Sequence, residues 1–324
     1  MSGDVFRLGL IGAGRMGRTH LRALAGFVEV DVTAVAEPSA VARAALADTG
    51  LRRYETVPQL LDAGGIDGVL IAAPSDLHAQ IVGLVAAAGL PILCEKPCGV
   101  TTADALRAAD AAQRGGVPLQ IAYWRRYVPD LQVLHERIQQ GELGDLHLVV
   151  CYQWDGQPPA RLFRAHSGGI FIDMGVHEFD QARWLTGQQI EQVTAVASPL
   201  VGDPEVVADV DSAQALMTLS GGASGVVSLG RYFPGGDMAR VEVFGTHGAV
   251  RVDFLDPKDG EQAQLDALRR QAEGFAAYAR GGPPTGASIA DAVQALDAAT
   301  RATAAVPRLR GALDGLDPTK GAAP

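Results

Sequence analysis

The sequence predicts an α/β protein of two domains, a doubly wound parallel sheet followed by an α+β domain with an open, mostly antiparallel sheet. Short apolar runs alternate with amphipathic helical segments over residues 1–122, as in βαβ units. Longer, β-branched runs joined by short turns occupy much of residues 123–324, which favours antiparallel hairpins. The length of 324 residues also suits two cores of ordinary size.

The overall composition restricts the kinds of partner that the chain can have. A net charge of −10 opposes binding to nucleic acid or to anionic lipid. The three cysteines, Cys94, Cys98 and Cys151, lack the spacing of a metal site, so we expect reduced thiols and no metal. Neither a leader pattern nor an apolar stretch of about 18 residues is present, so we expect a soluble cytoplasmic protein without a membrane partner.

The first domain is expected to contain five strands, at 5–11, 30–36, 68–73, 90–94 and 117–121. Ser39 and Ser75 are good N-caps for two of the intervening helices. Thr101 with Asp104 resembles a capping box that opens a third helix. Because such parallel sheets bind ligands beyond the carboxyl ends of their strands, we expect a binding site at that edge.

A glycine-rich loop follows the first strand, where residues 12–17 read GAGRMG and match G-x-G-x-x-G. The pattern is weak alone, but here it lies between a strand and a helix near the N-terminus, which is the context of a dinucleotide-binding turn. The free N–H groups and the dipole of the helix would receive the pyrophosphate. The residues of this loop predicted to bind the cofactor are Gly12, Gly14, Arg15, Met16 and Gly17.

Glu37 ends the second strand, where a carboxylate can accept hydrogen bonds from the ribose hydroxyls of NAD and would repel the 2′-phosphate of NADP. Arg43 lies in the next helix and leaves NADP open as the less favoured cofactor. Later strand ends add Pro74, His78 and Lys96 to the predicted cofactor contacts.

The second domain is expected to contain about six strands, at 146–154, 192–197, 210–219, 225–232, 239–244 and 249–254. Helices are expected at 129–140, 261–280 and 288–304, and a loose tail at 314–324. A wide sheet face must be covered, so we expect a homo-oligomer that associates through this sheet.

Two segments carry the predicted chemistry. Lys96, in the sequence Glu-Lys-Pro, follows the fourth strand and would lie beside the nicotinamide. Asp173, His177 and Asp180 are spaced four and three residues apart, so they share one face of a predicted helix. Such a face suits polyol binding and proton removal, although a helix capped by Asp173 with a packed His177 would show the same pattern.

Five segments together give a resemblance to a known family. They are GAGRMGRTH from Gly12, AEP from Ala36, CEKP from Cys94, YWRRY from Tyr123 and SGGIFIDMGVHEFDQARWL from Ser167. Over nearly its whole length the chain resembles the GFO/IDH/MocA oxidoreductases, and it resembles their inositol 2-dehydrogenase branch more than their glucose–fructose oxidoreductase branch.

The resemblance implies a Rossmann domain and a catalytic group of Lys96, Asp173 and His177. It also implies that Asp180 and Arg125 hold substrate hydroxyls. Glu95 would lie near the nicotinamide, Pro97 would follow a cis peptide bond, and the assembly would be a tetramer or dimer. Positions at which family members vary their substrate contacts are Trp124, Tyr152, Gln153, Trp154, Arg161, Arg164 and Tyr232, and Trp154 could stack on a sugar ring.

The resulting hypothesis is an NAD-dependent dehydrogenase that oxidises a secondary alcohol of a cyclic polyol or sugar, such as an inositol, an aldose or an anhydrosugar. His177 would remove the hydroxyl proton and Lys96 would stabilise the developing alkoxide. A non-enzymatic dinucleotide-binding regulator, an NAD-retaining glycosidase and a reductase of aldehydes, dihydrodiols or imines are the alternatives.

Overall fold

The computed structural model describes residues 5–198, 209–256 and 260–306. In the first part of the chain, six parallel strands form one sheet in the order β3-β2-β1-β4-β5-β6. These strands are β1 (Phe6–Ile11), β2 (Val30–Ala36), β3 (Arg52–Tyr54), β4 (Gly68–Ile71), β5 (Ile92–Cys94) and β6 (Leu119–Ile121). The intervening helices are α1 (Arg15–Leu24), α2 (Ala40–Ala44), α3 (Val57–Ala63), α4 (His78–Ala87) and α5 (Thr102–Gly115). The predicted doubly wound sheet is confirmed.

Helix starts in this part follow the capping chemistry in most places. The Ser39 side chain accepts a hydrogen bond from the backbone of Ala42, and Thr101 forms the predicted capping box. Ser75 is different, since Ser75–Leu77 is a short 3₁₀ turn and α4 begins at His78 without a side-chain cap. The prediction that Ser75 caps this helix was therefore wrong.

The sequence analysis missed β3 and α3 at one edge of the sheet. The strand Arg52–Tyr54 has only three residues, two of them arginines, so it lacks the apolar run by which the other strands were found. The helix Val57–Ala63 has one buried residue and begins with a Thr56–Gln59 capping box. Short edge elements bury little apolar surface, and hydrophobic periodicity does not detect them.

The second sheet also has six strands, in the order β12-β11-β7-β10-β9-β8. They are β7 (Leu146–Trp154), β8 (Ile190–Ser198), β9 (Ser212–Leu219), β10 (Ser224–Gly230), β11 (Met238–Gly245) and β12 (Gly248–Leu255). The helices are α6 (Pro129–Gln139), α7 (Arg161–His166), α8 (Val176–Thr186), α9 (Gly260–Ala279) and α10 (Ile289–Ala305). Four neighbouring pairs are antiparallel and only β7–β10 is parallel, which confirms a mostly antiparallel sheet.

The two faces of this sheet differ in exposure. On one face the central residues Ala215, Val227 and Val241 are fully buried. The strand register places Leu216 and Phe244 together on the opposite face, where they are 56 % and 39 % exposed. Within the described ranges, the rest of the protein therefore packs against one side of the sheet and leaves these side chains exposed on the other.

The last two helices return to the first part of the chain. Phe275 of α9 packs edge-on against Phe6 of β1, with ring centroids 6.0 Å apart. Ser288 caps α10, which contacts both α8 and α5. A division at residues 122/123 stays a prediction, since these helices join both sheets. The predicted tail at 314–324 lies outside the described residues. Among the helices in the described ranges, none combines the length and apolar character needed to cross a membrane.

Candidate active site

The glycine loop connects β1 to α1 at the carboxyl edge of the first sheet. Gly12 has a φ of +93°, which L side chains rarely adopt. A Cβ on Gly17 would overlap the Gly12 carbonyl oxygen, so the helix packs on the loop only because Gly17 has no side chain. A Cβ on Gly14 would meet nothing within 4 Å, and no side chain caps α1. An open space thus adjoins free backbone N–H groups at a helix N-terminus, which fits a dinucleotide pyrophosphate.

The Glu37 carboxylate stabilises the glycine loop by accepting backbone hydrogen bonds. One of its carboxylate oxygens accepts a hydrogen bond from the Ala13 N–H at 2.8 Å, and the other accepts one from the Ser39 N–H at 2.9 Å. Arg43 donates to the Glu37 and Pro38 carbonyl oxygens at 2.6 and 2.7 Å. Each carboxylate oxygen retains a second lone pair, so the ribose contact of Glu37 stays a prediction that this geometry permits.

Pro74 and His78 follow β4, and the His78 side chain faces the protein interior. Its two ring nitrogens lie 2.7 Å from the Pro97 carbonyl oxygen and 2.8 Å from the Ala73 carbonyl oxygen. The ring is only 1 % exposed. His78 therefore ties together the loops after β4 and β5, and a direct cofactor contact of its ring stays a prediction that these hydrogen bonds disfavour.

Glu95 directly precedes Lys96 in the chain, and its carboxylate pairs with His20 of α1. His20 Nε2 is 2.7 Å from Glu95 Oε1, and the backbone N–H of Lys96 donates to Glu95 Oε2 at 3.1 Å. Burial raises the pKa of Glu95, but the His20 hydrogen bond and the charges of His20 and Lys96 outweigh burial, so that this pKa is lowered overall. The Lys96–Pro97 peptide bond is cis, as the resemblance implied.

Lys96 reaches from the first sheet to the segment before α8. Its Nζ donates to the Asp173 carbonyl oxygen at 2.6 Å and lies 3.8 Å from Asp173 Oδ1. Asp173 belongs to a π-helical turn, Phe171–Gly175, that leads directly into α8. The predicted helix thus begins earlier than Asp173, and Asp173 is not its N-cap. The wide turn presents the Asp173 carbonyl oxygen to the lysine.

His177 lies in the first turn of α8 and is 6 % exposed. Its ring packs edge-on against Tyr123 and Trp124, at centroid distances of 5.8 and 6.4 Å. Its Nδ1 has no hydrogen-bond partner among the described residues. Burial, together with the charges of Lys96 and Arg125, lowers the pKa of His177 well below its ordinary value. The imidazole is therefore neutral near pH 7 and able to accept a proton.

The structure gives Arg125 and Asp180 protein partners. Arg125 forms a buried ion pair with Glu178 and donates to Gln153 Oε1 at 2.5 Å. Both carboxylate oxygens of Asp180 accept hydrogen bonds from Arg126, at 2.5 and 3.0 Å. That Arg125 or Asp180 binds a substrate hydroxyl stays a prediction. Either side chain would have to bind the hydroxyl while it keeps its protein partners.

Two further predicted substrate contacts are also engaged within the chain. The Trp154 ring lies over Gly230, and its Nε1 donates to Ser228 Oγ at 3.1 Å. Arg164, only 3 % exposed, donates to Asp209 Oδ2 at 2.7 Å. Their roles toward a substrate stay predictions.

Arg231 also lies in the candidate site and was not predicted from the sequence. It follows β10 directly, is fully buried, and lies 3.1 Å from Asp173 Oδ2 through Nη1. Its Nε is 2.8 Å from Asp209 Oδ2. The only local signal was a cation directly after an apolar strand, and 58 residues separate it from Asp173.

Together these features define the class of protein. A parallel sheet with this glycine loop, an acid after its second strand, and a lysine after its fifth strand that contacts Asp173 characterise an NAD-binding Rossmann oxidoreductase. Residues 6–123 match the family model described as "Oxidoreductase family, NAD-binding Rossmann fold", and residues 131–251 match that of the GFO/IDH/MocA C-terminal domain. The chain therefore belongs to the GFO/IDH/MocA oxidoreductase family, which confirms the resemblance read from the sequence.

Individual relatives agree with this assignment. The rhizopine catabolism protein MocA of Rhizobium meliloti is 54 % identical, and the match covers 92 % of this chain and 94 % of MocA. An inositol 2-dehydrogenase of Rhizobium meliloti (strain 1021) is 32 % identical over 82 % of this chain and 80 % of its own. The crystal structure of GenD2 from gentamicin A biosynthesis, in complex with NAD, is 27 % identical with a TM-score of 0.85, covering 94 % of this chain and 95 % of its own.

Proposed function

We propose that this protein is an NAD-dependent dehydrogenase that oxidises a secondary alcohol of a cyclic polyol or sugar. The observation that carries the proposal is the pairing of a buried, neutral His177 with the half-buried Lys96, whose ammonium uses one N–H on the Asp173 carbonyl oxygen. A proton acceptor and a cationic donor whose charge acts on it suit removal of a hydroxyl proton and stabilisation of the resulting alkoxide.

Bound NAD would supply the hydride acceptor. The protein residues handle the proton and the geometry. His177 would accept the hydroxyl proton, and a free N–H of Lys96 would donate to the same oxygen as negative charge develops. Asp173 would accept a hydrogen bond from a neighbouring hydroxyl. The Glu37 carboxylate after β2 supports NAD over NADP, because it would repel a 2′-phosphate.

The descriptions of two relatives suggest compounds for the first substrate panel. One is described as an inositol 2-dehydrogenase, and MocA is described as a rhizopine catabolism protein. We therefore place a rhizopine beside myo-inositol, scyllo-inositol, an aldose and an anhydrosugar in the first substrate panel.

The test is the absorbance of NADH during incubation of the protein with each compound and either NAD or NADP. We expect NADH formation with at least one cyclic polyol or sugar, and slower turnover with NADP. Binding of NAD without turnover of any compound would favour a regulator. Release of sugar from a glycoside without net NADH would favour a glycosidase that retains its NAD.

A further inference from the structure

Alternating charges run from Lys96 into the second domain. Asp173 lies between Lys96 and Arg231, and Arg231 lies between Asp173 and Asp209. Arg164 then pairs with the same oxygen of Asp209, at 2.7 Å. The side chains of Arg231 and Asp209 are completely buried, so these charges depend on one another for their stability.

Within this chain of charges, Asp173 is held by Arg231 rather than by Lys96. Arg231 Nη1 lies at hydrogen-bond distance, 3.1 Å, from Asp173 Oδ2. Lys96 Nζ lies 3.8 Å from Asp173 Oδ1, which is too long for a direct hydrogen bond. The short contact of Lys96, 2.6 Å, goes to the Asp173 carbonyl oxygen.

Arg231 also keeps its charge. Burial lowers the pKa of Arg231, but the charges of Asp173 and Asp209 outweigh burial and raise this pKa above its ordinary value. A guanidinium presents its donors in a fixed planar arrangement, so it fixes a carboxylate more firmly than an ammonium does.

We infer that Arg231 is a positioning residue that holds Asp173 away from Lys96 and so leaves N–H groups of the lysine free for the substrate oxygen. An ammonium has three N–H donors, and only one is used on the Asp173 carbonyl oxygen. Without Arg231, the Asp173 carboxylate would turn to Lys96 and form a direct ion pair. The catalytic consequence of this inference rests on the proposed function, but the link between the three side chains does not.

The link can be measured by chemical labelling, because the chain contains only three lysines, Lys96, Lys258 and Lys320. Acetylation by an N-hydroxysuccinimide ester needs a neutral, accessible amine, and peptide mass spectrometry gives the rate at each lysine. Lys258 and Lys320 serve as internal references in the same digest.

In Arg231→Gln, Lys96 loses a neighbouring positive charge and gains a direct carboxylate partner. We expect its labelling, relative to the references, to slow by about threefold or more, which a modest change in screened charge interaction produces. Adding Asp173→Asn should abolish the difference that Arg231→Gln makes, because the two changes act through one carboxylate. Unchanged labelling would overturn the inference. Faster labelling would also overturn it, because it would mean that Arg231 merely keeps the region packed.

Steady-state kinetics of the Arg231 variants distinguish a positioning role of Arg231 from a role in cofactor binding. In Arg231→Gln we expect kcat to fall by about tenfold or more while KM for NAD changes less than about twofold, since only transition-state contacts are lost. Arg231→Lys keeps a cation beside Asp173 and should recover part of kcat. Arg137→Met, which removes an arginine of α6 that pairs with Glu142, is the control and should leave kcat unchanged.

The substrate assay of the proposed function and the tests of the Arg231 variants can give negative results independently of each other. If no polyol is oxidised by the wild-type protein but Lys96 labelling responds as expected, the proposed function is wrong and the link between Arg231, Asp173 and Lys96 stands. If the wild-type protein oxidises a polyol but Arg231→Gln changes neither the labelling of Lys96 nor kcat, the proposed function stands and the positioning role of Arg231 is excluded.

Discussion

At the residue scale, the candidate site places a neutral imidazole beside a cationic side chain. His177 is kept neutral by burial and by the positive charges of Lys96 and Arg125. Lys96 in turn is held by a main-chain carbonyl oxygen, which anchors it without neutralising it. In the proposed function, His177 would accept a proton while Lys96 would stabilise negative charge on the same oxygen.

Replacing either group with alanine should remove this chemistry without removing the cofactor. We expect Lys96→Ala and His177→Ala each to lower kcat by at least about a hundredfold, the usual size of acid–base contributions. NADH fluorescence should show that both variants still bind the cofactor. His147→Ala, which changes an exposed histidine of β7, is the matched control. Turnover close to that of the wild type in either variant would remove that residue from the mechanism.

The lowered pKa of His177 makes a prediction about pH. If His177 is the base, kcat/KM should remain on its plateau as pH falls past 6.5, the ordinary histidine value, and should decline only at more acidic pH. Unfolded chains bind this proton more readily than the folded protein, so His177 should also make the free energy of unfolding decrease as pH falls below 6.5.

A pH–rate profile and urea titrations at several pH values measure both effects. Loss of half the activity at or above pH 6.5 would show that a different group is titrating. In His177→Phe, part of the acid-dependent loss of stability should disappear, because the aromatic replacement binds no proton.

The site residues predicted from the sequence lie in short motifs, whereas Arg231, which was not predicted, does not. Lys96 and the pair Asp173 and His177 are recognisable from their neighbours and spacing, and the structure brings them together. Arg231 becomes part of the site only through contacts with residues 22 and 58 positions away, and no local pattern encodes such contacts.

At the scale of elements, the first sheet brings four loops to one edge because all its strands run in the same direction. The ends of β1, β2, β4 and β5 carry the glycine loop, Glu37, the loop before His78, and Lys96. Hydrophobic periodicity predicted these strands because each is buried on both faces. It did not predict the π-helical turn Phe171–Gly175, since a turn with one added residue leaves no apolar period of its own.

Two glycines of the loop should respond differently to alanine. Gly17→Ala would force the α1 backbone away from Gly12, so we expect a loss of about 1–3 kcal/mol in the free energy of unfolding, as for other overpacked sites. Gly14→Ala meets no neighbour and has an ordinary φ of −70°, so stability should hold.

NAD binding to the same two variants distinguishes their roles. If the pyrophosphate lies against Gly14, Gly14→Ala should weaken NAD binding by about tenfold or more through a steric clash of a size seen in packed sites. Thermal unfolding and isothermal titration provide the two measurements. Unchanged NAD affinity in Gly14→Ala would place the pyrophosphate elsewhere.

At the scale of the whole molecule, one face of the second sheet exposes apolar side chains that no part of the described chain covers. Val196, Leu216 and Phe244 lie on that face and are 60 %, 56 % and 39 % exposed. Large exposed apolar patches mark association surfaces. An oligomer through this sheet remains our prediction, and the observation that supports it is the alignment of these side chains across β8, β9 and β11.

A charge on this face should disrupt such an assembly. We expect the wild-type protein to be a dimer or tetramer by size-exclusion chromatography with light scattering, and Leu216→Arg to shift it toward the monomer, because a buried unpaired charge is costly. Val133→Arg places the same charge on α6, at a residue 54 % exposed, and should leave the assembly intact. A monomeric wild-type protein would refute the prediction.

The double use of Glu37 limits how cofactor preference can evolve in this chain. The carboxylate that would exclude a 2′-phosphate is the same group that accepts the Ala13 and Ser39 N–H groups. Replacing this acid to accept NADP would leave the Ala13 N–H unpaired in the glycine loop and the Ser39 N–H unpaired in the loop after β2. Such a change would first require a neutral acceptor for these N–H groups, so a preference for NAD would be maintained by the hydrogen bonds of the loop as well as by selection for the nucleotide.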